Sequence, residues 1–432
     1  MRIGRSRGGL LLALLGLVVG PALVAAASCV VPGFEKIDAP PGAFDAGADA
    51  PPDADAGAGG GGGEPGCEHV RWPDPPDASD PSDASIEFVV ALRRVDLGEK
   101  DLDAGPDVGF DLDERCTCRG QGSSCKEPGW ATENPCDGPG GRDNATALMH
   151  GYAQSFYPVL SSEIYSQSLN DGYASVLARV RDYNGQPNDE QVELGLYLSG
   201  GFARDRCDPN VVPQWDGQDR WPIDVHGLAP KDGGACDGAA GGEGGGGAGG
   251  GPPSWCDGGP SPYECAYDVG RPLFGDPAAY VTSGVLVANL PTAELIMGTE
   301  DRQFSIRLTA GFMTAHLKKE SGGWALRNGV LAGRWRLQDA FITASNVVGE
   351  DGGLCVGDFA YETLRNLMCR YADILTGVGG PTTPCDAVSF GMAFESEPAQ
   401  LGPLYWYPPK SSECPPGLDP AEDSCEPEPD SG

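Results

Sequence analysis

Apolar residues in this chain recur mainly in short, β-branched runs, and only a few stretches carry the spacing of a helix. Residues 86–95 (IEFVVALRRV) form such a run, bounded by Asp and Ser before it and Asp, Leu and Gly after it, and read as a strand. Residues 173–182 (YASVLARVRD) and 191–199 (QVELGLYLS) repeat the pattern on either side of Asn184-Gly185, a pairing that predicts a hairpin. Further strands are expected over residues 280–288, 294–297, 304–315, 324–335 and 385–394, with a turn at Ser321-Gly322-Gly323. Asp143 or Asn144 is placed to cap a helix in which Leu148, Tyr152, Phe156 and Leu160 recur every fourth residue, and Pro158 should stop it near Tyr157. Residues 337–348 read as a second helix. Residues 358–375 read as a third, with Ala360, Leu364, Leu367, Met368, Tyr371 and Leu375 along one face. About eight strands with two or three helices predict a β-rich α+β domain over residues 86–407, most simply a β-sandwich-like domain with long disulfide-stapled loops.

The flanks and one insertion follow other rules. Residues 1–28 open with Arg2, Arg5 and Arg7, continue as an apolar stretch from Leu10 to Val19, and end in small residues, the layout of a secretory signal peptide. Residues 29–85 turn to Asp, Ala, Pro and Gly, too poor in apolar surface to offset their ordering entropy, and are expected to form an extended, disordered tether. Residues 202–275 form a Gly-rich insertion, punctuated by Cys207, Cys236, Cys256 and Cys265, where disulfides should stand in for a core. Residues 408–432 are an acidic, Pro-rich tail.

Charge and cysteine usage narrow the function classes. With 63 acidic against 29 basic residues and a net charge of −34, the chain lacks the cationic footprint that nucleic acid requires. Its 15 cysteines become an even 14 once Cys29 is set aside, as expected for complete pairing in an oxidising compartment. Ala26-Ala27-Ser28-Cys29 resembles the lipobox of bacterial lipoproteins, with Ala26 in place of the usual Leu, so Cys29 is the expected acylated anchor to a lipid bilayer. Ordinary cleavage after Ala27 would leave a free secreted protein instead.

Few residues look catalytic. The zinc-protease, nucleophile-elbow, phosphate-loop and kinase signatures are missing, and His69, His150, His226 and His316 are dispersed. The strongest chemical pattern is FDLDERCTC followed by CDGPGGRDN. Asp111 and Asp113 alternate, and Asp137, Asp143 and Asn144 add oxygen donors on a glycine-rich loop, a set suited to calcium. Pairing of Cys116 or Cys118 with Cys136 would draw the two acidic runs together. The same residues would otherwise serve as turn and helix caps. Trp215, Trp221, Trp255 and Trp406 sit in loops or beside prolines, where rings can stack on a glycan or a protein ligand, or fill small subcores. Glu193 and Glu294 lie near strand-like runs and are the acids a glycosidase would need.

With its lipobox-like start, Asp/Ala/Pro tether, paired acidic runs and closing CDAVSFGMAFE, the chain resembles the large uncharacterised surface lipoproteins of bacteria. That resemblance implies an outer-membrane or cell-surface location and no reaction. The leading expectation is a non-enzymatic binding or structural lipoprotein stabilised by calcium. The alternative is a secreted carbohydrate-active or other hydrolytic enzyme.

Overall fold

The structure is a computed structural model and describes residues 67–99, 105–131, 135–154, 161–202, 212–231, 261, 263–298, 303–346, 348–349, 352–407 and 414–426. The expected signal peptide, Cys29, most of the tether and Trp255 lie outside these residues. In chain order the first elements are β1 (Ile86–Asp96), α1 (Ala145–Ala153), α2 (Ser162–Asp171), β2 (Ser175–Tyr183), β3 (Asp189–Ser199), β4 (Arg220–Asp224), β5 (Leu228–Pro230) and β6 (Tyr267–Pro272). They are followed by β7 (Phe274–Thr282), β8 (Val285–Gly298), β9 (Gln303–Glu320), β10 (Gly323–Arg336), α3 (Leu337–Asn346), β11 (Val348–Gly349), β12 (Gly352–Gly353), α4 (Phe359–Arg370) and β13 (Ala387–Tyr405).

The β-rich α+β class holds, but the architecture is a barrel and not a sandwich. Eight strands run β1-β2-β3-β7-β8-β9-β10-β13, and β1 pairs antiparallel with both β2 and β13, which closes the sheet on itself. β4 adds in parallel to the far end of β13. The difference is one of long-range pairing: periodicity reveals how many strands a chain has, whereas closure depends on whether the first and last strands bond to each other.

Alternation along each strand fills the interior. Val90 and Leu92 of β1, Val176, Ala178 and Val180 of β2, Val192, Leu194, Leu196 and Leu198 of β3, and Phe390, Met392 and Phe394 of β13 join one core. The intervening residues Ala91, Leu177 and Tyr197 point outward into a second apolar cluster with Trp221, Ile223, Val225 and Leu404, so β4 and its neighbours roof that part of the wall. A third cluster, Phe110 and Leu112 against Val330, Ala332, Ile374 and Ala387, covers another part. Strands buried on two faces explain why so many runs read as continuously apolar. Among the described residues, side chains fill the interior. The cavity under α2 at one rim, lined by Leu92, Tyr165, Ser168 and Leu295, measures about 20 Å³, room for about one water.

Other departures have local causes. The expected strand over residues 280–288 is the end of β7, the two-residue turn Ser283-Gly284 and the start of β8. Both turn residues have positive φ, 51° and 79°, as a tight hairpin demands. α1 buries Ala145, Thr146, Ala147, Met149, His150 and Ala153 and leaves Tyr152 47% exposed, so Tyr152 of the expected stripe does not face the core; Phe156, Pro158 and Leu160 lie outside the described residues. α2 has clear signals in sequence, a Ser161 cap whose hydroxyl accepts from the Ile164 N–H and a left-handed Gly172 at its end. Within the tail, Cys414 and Cys425 pair with Cys355 and Cys369, and the Tyr361 hydroxyl donates to Asp423 at 2.7 Å, so residues 414–426 pack back onto α4.

Candidate metal centre

The clasped loop lies against the outer wall of β10 and β13. Its alternating Phe110-Asp111-Leu112-Asp113 run sends the two apolar side chains into the third cluster, which leaves the carboxylates to meet Asp143. Three disulfides fix this arrangement: Cys67–Cys116, Cys118–Cys136 and Cys125–Cys385. The second is one of the pairings expected to join the two acidic runs. The third ties the loop to the wall just before β13. Gly141, at φ 73°, lies so close to Asp111 and Cys116 that an added Cβ would come within 3.0 Å of Asp111 Oδ2 and 2.8 Å of Cys116 Sγ, so only glycine permits the fit.

Carboxylate oxygens of Asp111, Asp113 and Asp143 all lie within 4.8 Å of one another. Two oxygens bound to one calcium at about 2.4 Å each can be separated by at most about that distance, so the spacing suits a single cation. Asp111 and Asp143 are buried and Asp113 is half-buried. Asp143 Oδ2 accepts from the Leu112 N–H at 2.6 Å, and Asp111 Oδ1 from the Arg115 N–H at 3.2 Å. His69, held nearby by the Cys67 disulfide, contacts Asp111 through Nδ1. Asp137 is buried, accepts from the Thr117 N–H, and is close enough to feel the charges of Asp113 and Asp111.

A fifth carboxylate was not foreseen from sequence. Asp373, in the segment between α4 and β13, accepts from the Ser389 N–H at 2.8 Å and from its hydroxyl, and its charge acts on Asp137 and Asp143. Nothing local to RYADIL marks it. It joins the group only because β13 brings Ser389 to α1, where the Ser389 hydroxyl accepts the Ala145 N–H at 2.7 Å.

Burial first, and then mutual repulsion, raises these acids. Burial and the charges of Asp113, Asp373 and Asp111 push Asp137 up to about 8. Burial pushes Asp373 up to about 7, and Asp143 stands well above the usual carboxylate range. Asp111 and Asp113 are also raised by burial. The nearby cations are few. Arg115 and Arg334 act on Asp113, but the Arg334 guanidinium donates through Nη2 to the Leu112 carbonyl at 2.6 Å, and its Nε is buried without a partner. The donor set is all oxygen, the chemistry of a hard dication and not of a soft metal.

Asn144 belongs to the framework. Its Nδ2 donates to the carbonyls of Leu97, Val108 and Gly391 at 3.1–3.2 Å, and its Oδ1 accepts the N–H groups of Ala147 and Gly391 at 3.1 and 3.0 Å. Both acceptor sites are occupied, so none is left for a cation. Asn144→Ala removes the side-chain partner of three buried carbonyls and of the Gly391 N–H, whereas the Ala147 N–H keeps the Asn144 backbone carbonyl; it is expected to cost about 3 kcal/mol in urea unfolding, and a loss below about 1 kcal/mol would show that the hub matters little.

The aromatic candidates separate. Trp221 is fully buried among Phe202 and Trp215, so it packs a core and faces no ligand. Trp215 is half-buried and lies under the Arg93 guanidinium at 5.2 Å. Trp406 is 40% exposed, with its ring 4.4 Å from that of His226. His226 Nδ1 lies 2.7 Å from Asp224 Oδ1, a bond that raises the imidazole, and Glu294, raised by burial, feels both charges. Glu193 pairs with Arg181.

Comparison with protein-family models, curated proteins and solved structures finds no match to this chain.

Proposed function

We propose that this chain is an exported, non-enzymatic binding or structural lipoprotein, anchored through an acylated Cys29, whose barrel is completed by a calcium ion on its outer wall. The observation that carries the reading is the convergence of Asp111, Asp113 and Asp143 oxygens within 4.8 Å, on a covalently clasped loop, with Asp137 and Asp373 beside them. Five raised carboxyls with little countercharge are costly in isolation, and a dication would relieve that cost. The disulfides are consistent with an extracellular protein. Among the described residues no helix is long and apolar enough to cross a membrane, so attachment would rest on the lipid. Native mass spectrometry of protein taken from the membrane fraction tests both parts: the mass should include acyl chains on Cys29 and one calcium lost on chelation. An unmodified, metal-free mass would refute them.

A second reading, a carbohydrate-active hydrolase, draws on the Asp224–His226 pair with Glu294 and the exposed ring of Trp406. A raised carboxyl beside a sugar-stacking ring is the equipment of a general acid. If it holds, Glu294→Gln should lower turnover of a chromogenic glycoside at least about 100-fold. Absence of turnover by the unaltered protein across a panel of such glycosides removes it.

A further inference from the structure

A cleft on the outer wall, separated from the acid cluster by the packing of Trp72 on Phe110, has a chemistry of its own. It opens between the segment at Trp72 and Asp74 and the outward side chains of β7, β8 and β9, and measures about 340 Å³, within the range of small-molecule sites. Trp72 stacks on Phe312, ring centroids 3.4 Å apart and planes 14° from parallel. The Tyr280 hydroxyl donates to the Pro73 carbonyl, which ties the segment to the barrel and adds a third ring. Asp74 and Asp276 supply two carboxylates, and among the described residues no Lys, Arg or His lines the cleft. Burial and these two charges push Tyr280 up to about 12, so both carboxylates act on the aromatic wall.

Two of the polar groups that line the cleft, Asp276 and Tyr280, are already engaged. Asp276 accepts the Ala278 N–H through Oδ1 at 2.9 Å and the Asn289 N–H through Oδ2 at 2.7 Å. The Tyr280 hydroxyl donates its hydrogen bond to the Pro73 carbonyl. What they offer a ligand is negative field and π-faces more than directional hydrogen bonds. Hydroxyl-rich ligands need the latter. A cation with an apolar coat needs only the former, because ring quadrupoles and an unneutralised carboxylate pair both attract it.

We propose that this cleft binds a small organic cation, an alkylammonium group carried on an apolar body. The test uses the full mature protein with calcium present, titrated calorimetrically with choline and with 3,3-dimethylbutan-1-ol, its neutral isostere. Choline should bind about tenfold or more tighter than the isostere, and the difference should shrink at high salt. Putrescine in place of choline separates a primary from a quaternary ammonium preference, and tighter binding of either than of the isostere supports the proposal. Asp74→Asn, at an exposed position, should weaken choline at least about threefold and leave the isostere unchanged. Trp72→Ala should remove binding of both; if that variant fails to fold, the Asp74 result stands alone. Equal binding of choline, putrescine and isostere, no binding by any of them, or choline binding indifferent to Asp74→Asn would overturn it.

Discussion

At pH 8, chelating divalent cations should lower the Tm of this protein by about 10 °C, whereas at pH 5 the same treatment should change it by no more than about 2 °C. The asymmetry follows from the direction in which the acids are displaced. A carboxyl whose folded pKa is raised contributes stability below its unfolded value near 4, and loses it as pH climbs through the folded value. For Asp373 and Asp137 those upper values are about 7 and about 8, so the cation-free protein should weaken between pH 4 and 8. Each unit of displacement corresponds to about 1.4 kcal/mol, shared among groups that repel one another, and the sum is several kcal/mol. Calcium bound among the ionised oxygens would cancel this loss, so its effect should grow over the same window. Asp143→Asn keeps the shape and can still accept from Leu112, but removes one charge from the centre. It should make the chelated protein more stable at pH 8 than the unaltered chelated protein, and abolish most of the response to calcium. Identical melting with calcium and with EDTA at both pH values would leave the cluster as a merely structural group of caps.

Replacing Cys125 and Cys385 by Ser should cost up to about 5 kcal/mol, read from guanidinium unfolding against the oxidised protein. This bond spans 260 residues, the longest separation among the described disulfides, and a long loop loses most entropy when closed in the unfolded chain. It also anchors the clasped loop where the Lys126 N–H donates to the Thr383 carbonyl and the Cys385 N–H to the Lys126 carbonyl. Calcium affinity should therefore fall with stability, since Asp113 and Asp373 sit on opposite sides of that junction. Retained stability to within about 1 kcal/mol would mean that the two backbone bonds and the packing of Phe110 and Leu112 hold the loop unaided.

The sequence made the local features legible and left the distant ones hidden. β1, β2, β3, β9 and β10 were visible because their apolar runs are long and end at turn residues, and Asn184-Gly185 announced its hairpin. Ser283-Gly284 is an equally informative turn but lies inside an apolar run, which hides it. β4 and β6 were masked by the glycine and proline around them. Closure of the barrel depends on β1 reaching β13 across some 300 residues, which no pattern in either strand reveals. Much the same is true of the acid cluster. Asp111, Asp113, Asp137 and Asp143 stood out because each shares a cysteine-bounded stretch. Asp373 needed the fold, and only atomic contacts show Asn144 engaged elsewhere. The cleft was invisible for the same reason, as Trp72, Tyr280 and Phe312 have no common pattern.

The Cys67–Cys116 bond has a mechanical meaning. A pull arriving from the residues before Cys67 meets covalent bonds before it meets β1, and passes through Cys116 and the clasped loop to Cys125, Cys385 and the base of β13. β1, which holds the barrel shut by bonding on both edges, is thereby shielded from being peeled away. Under such a load the barrel would keep its shape, until a reductant cut the bypass and turned the same force onto the seam.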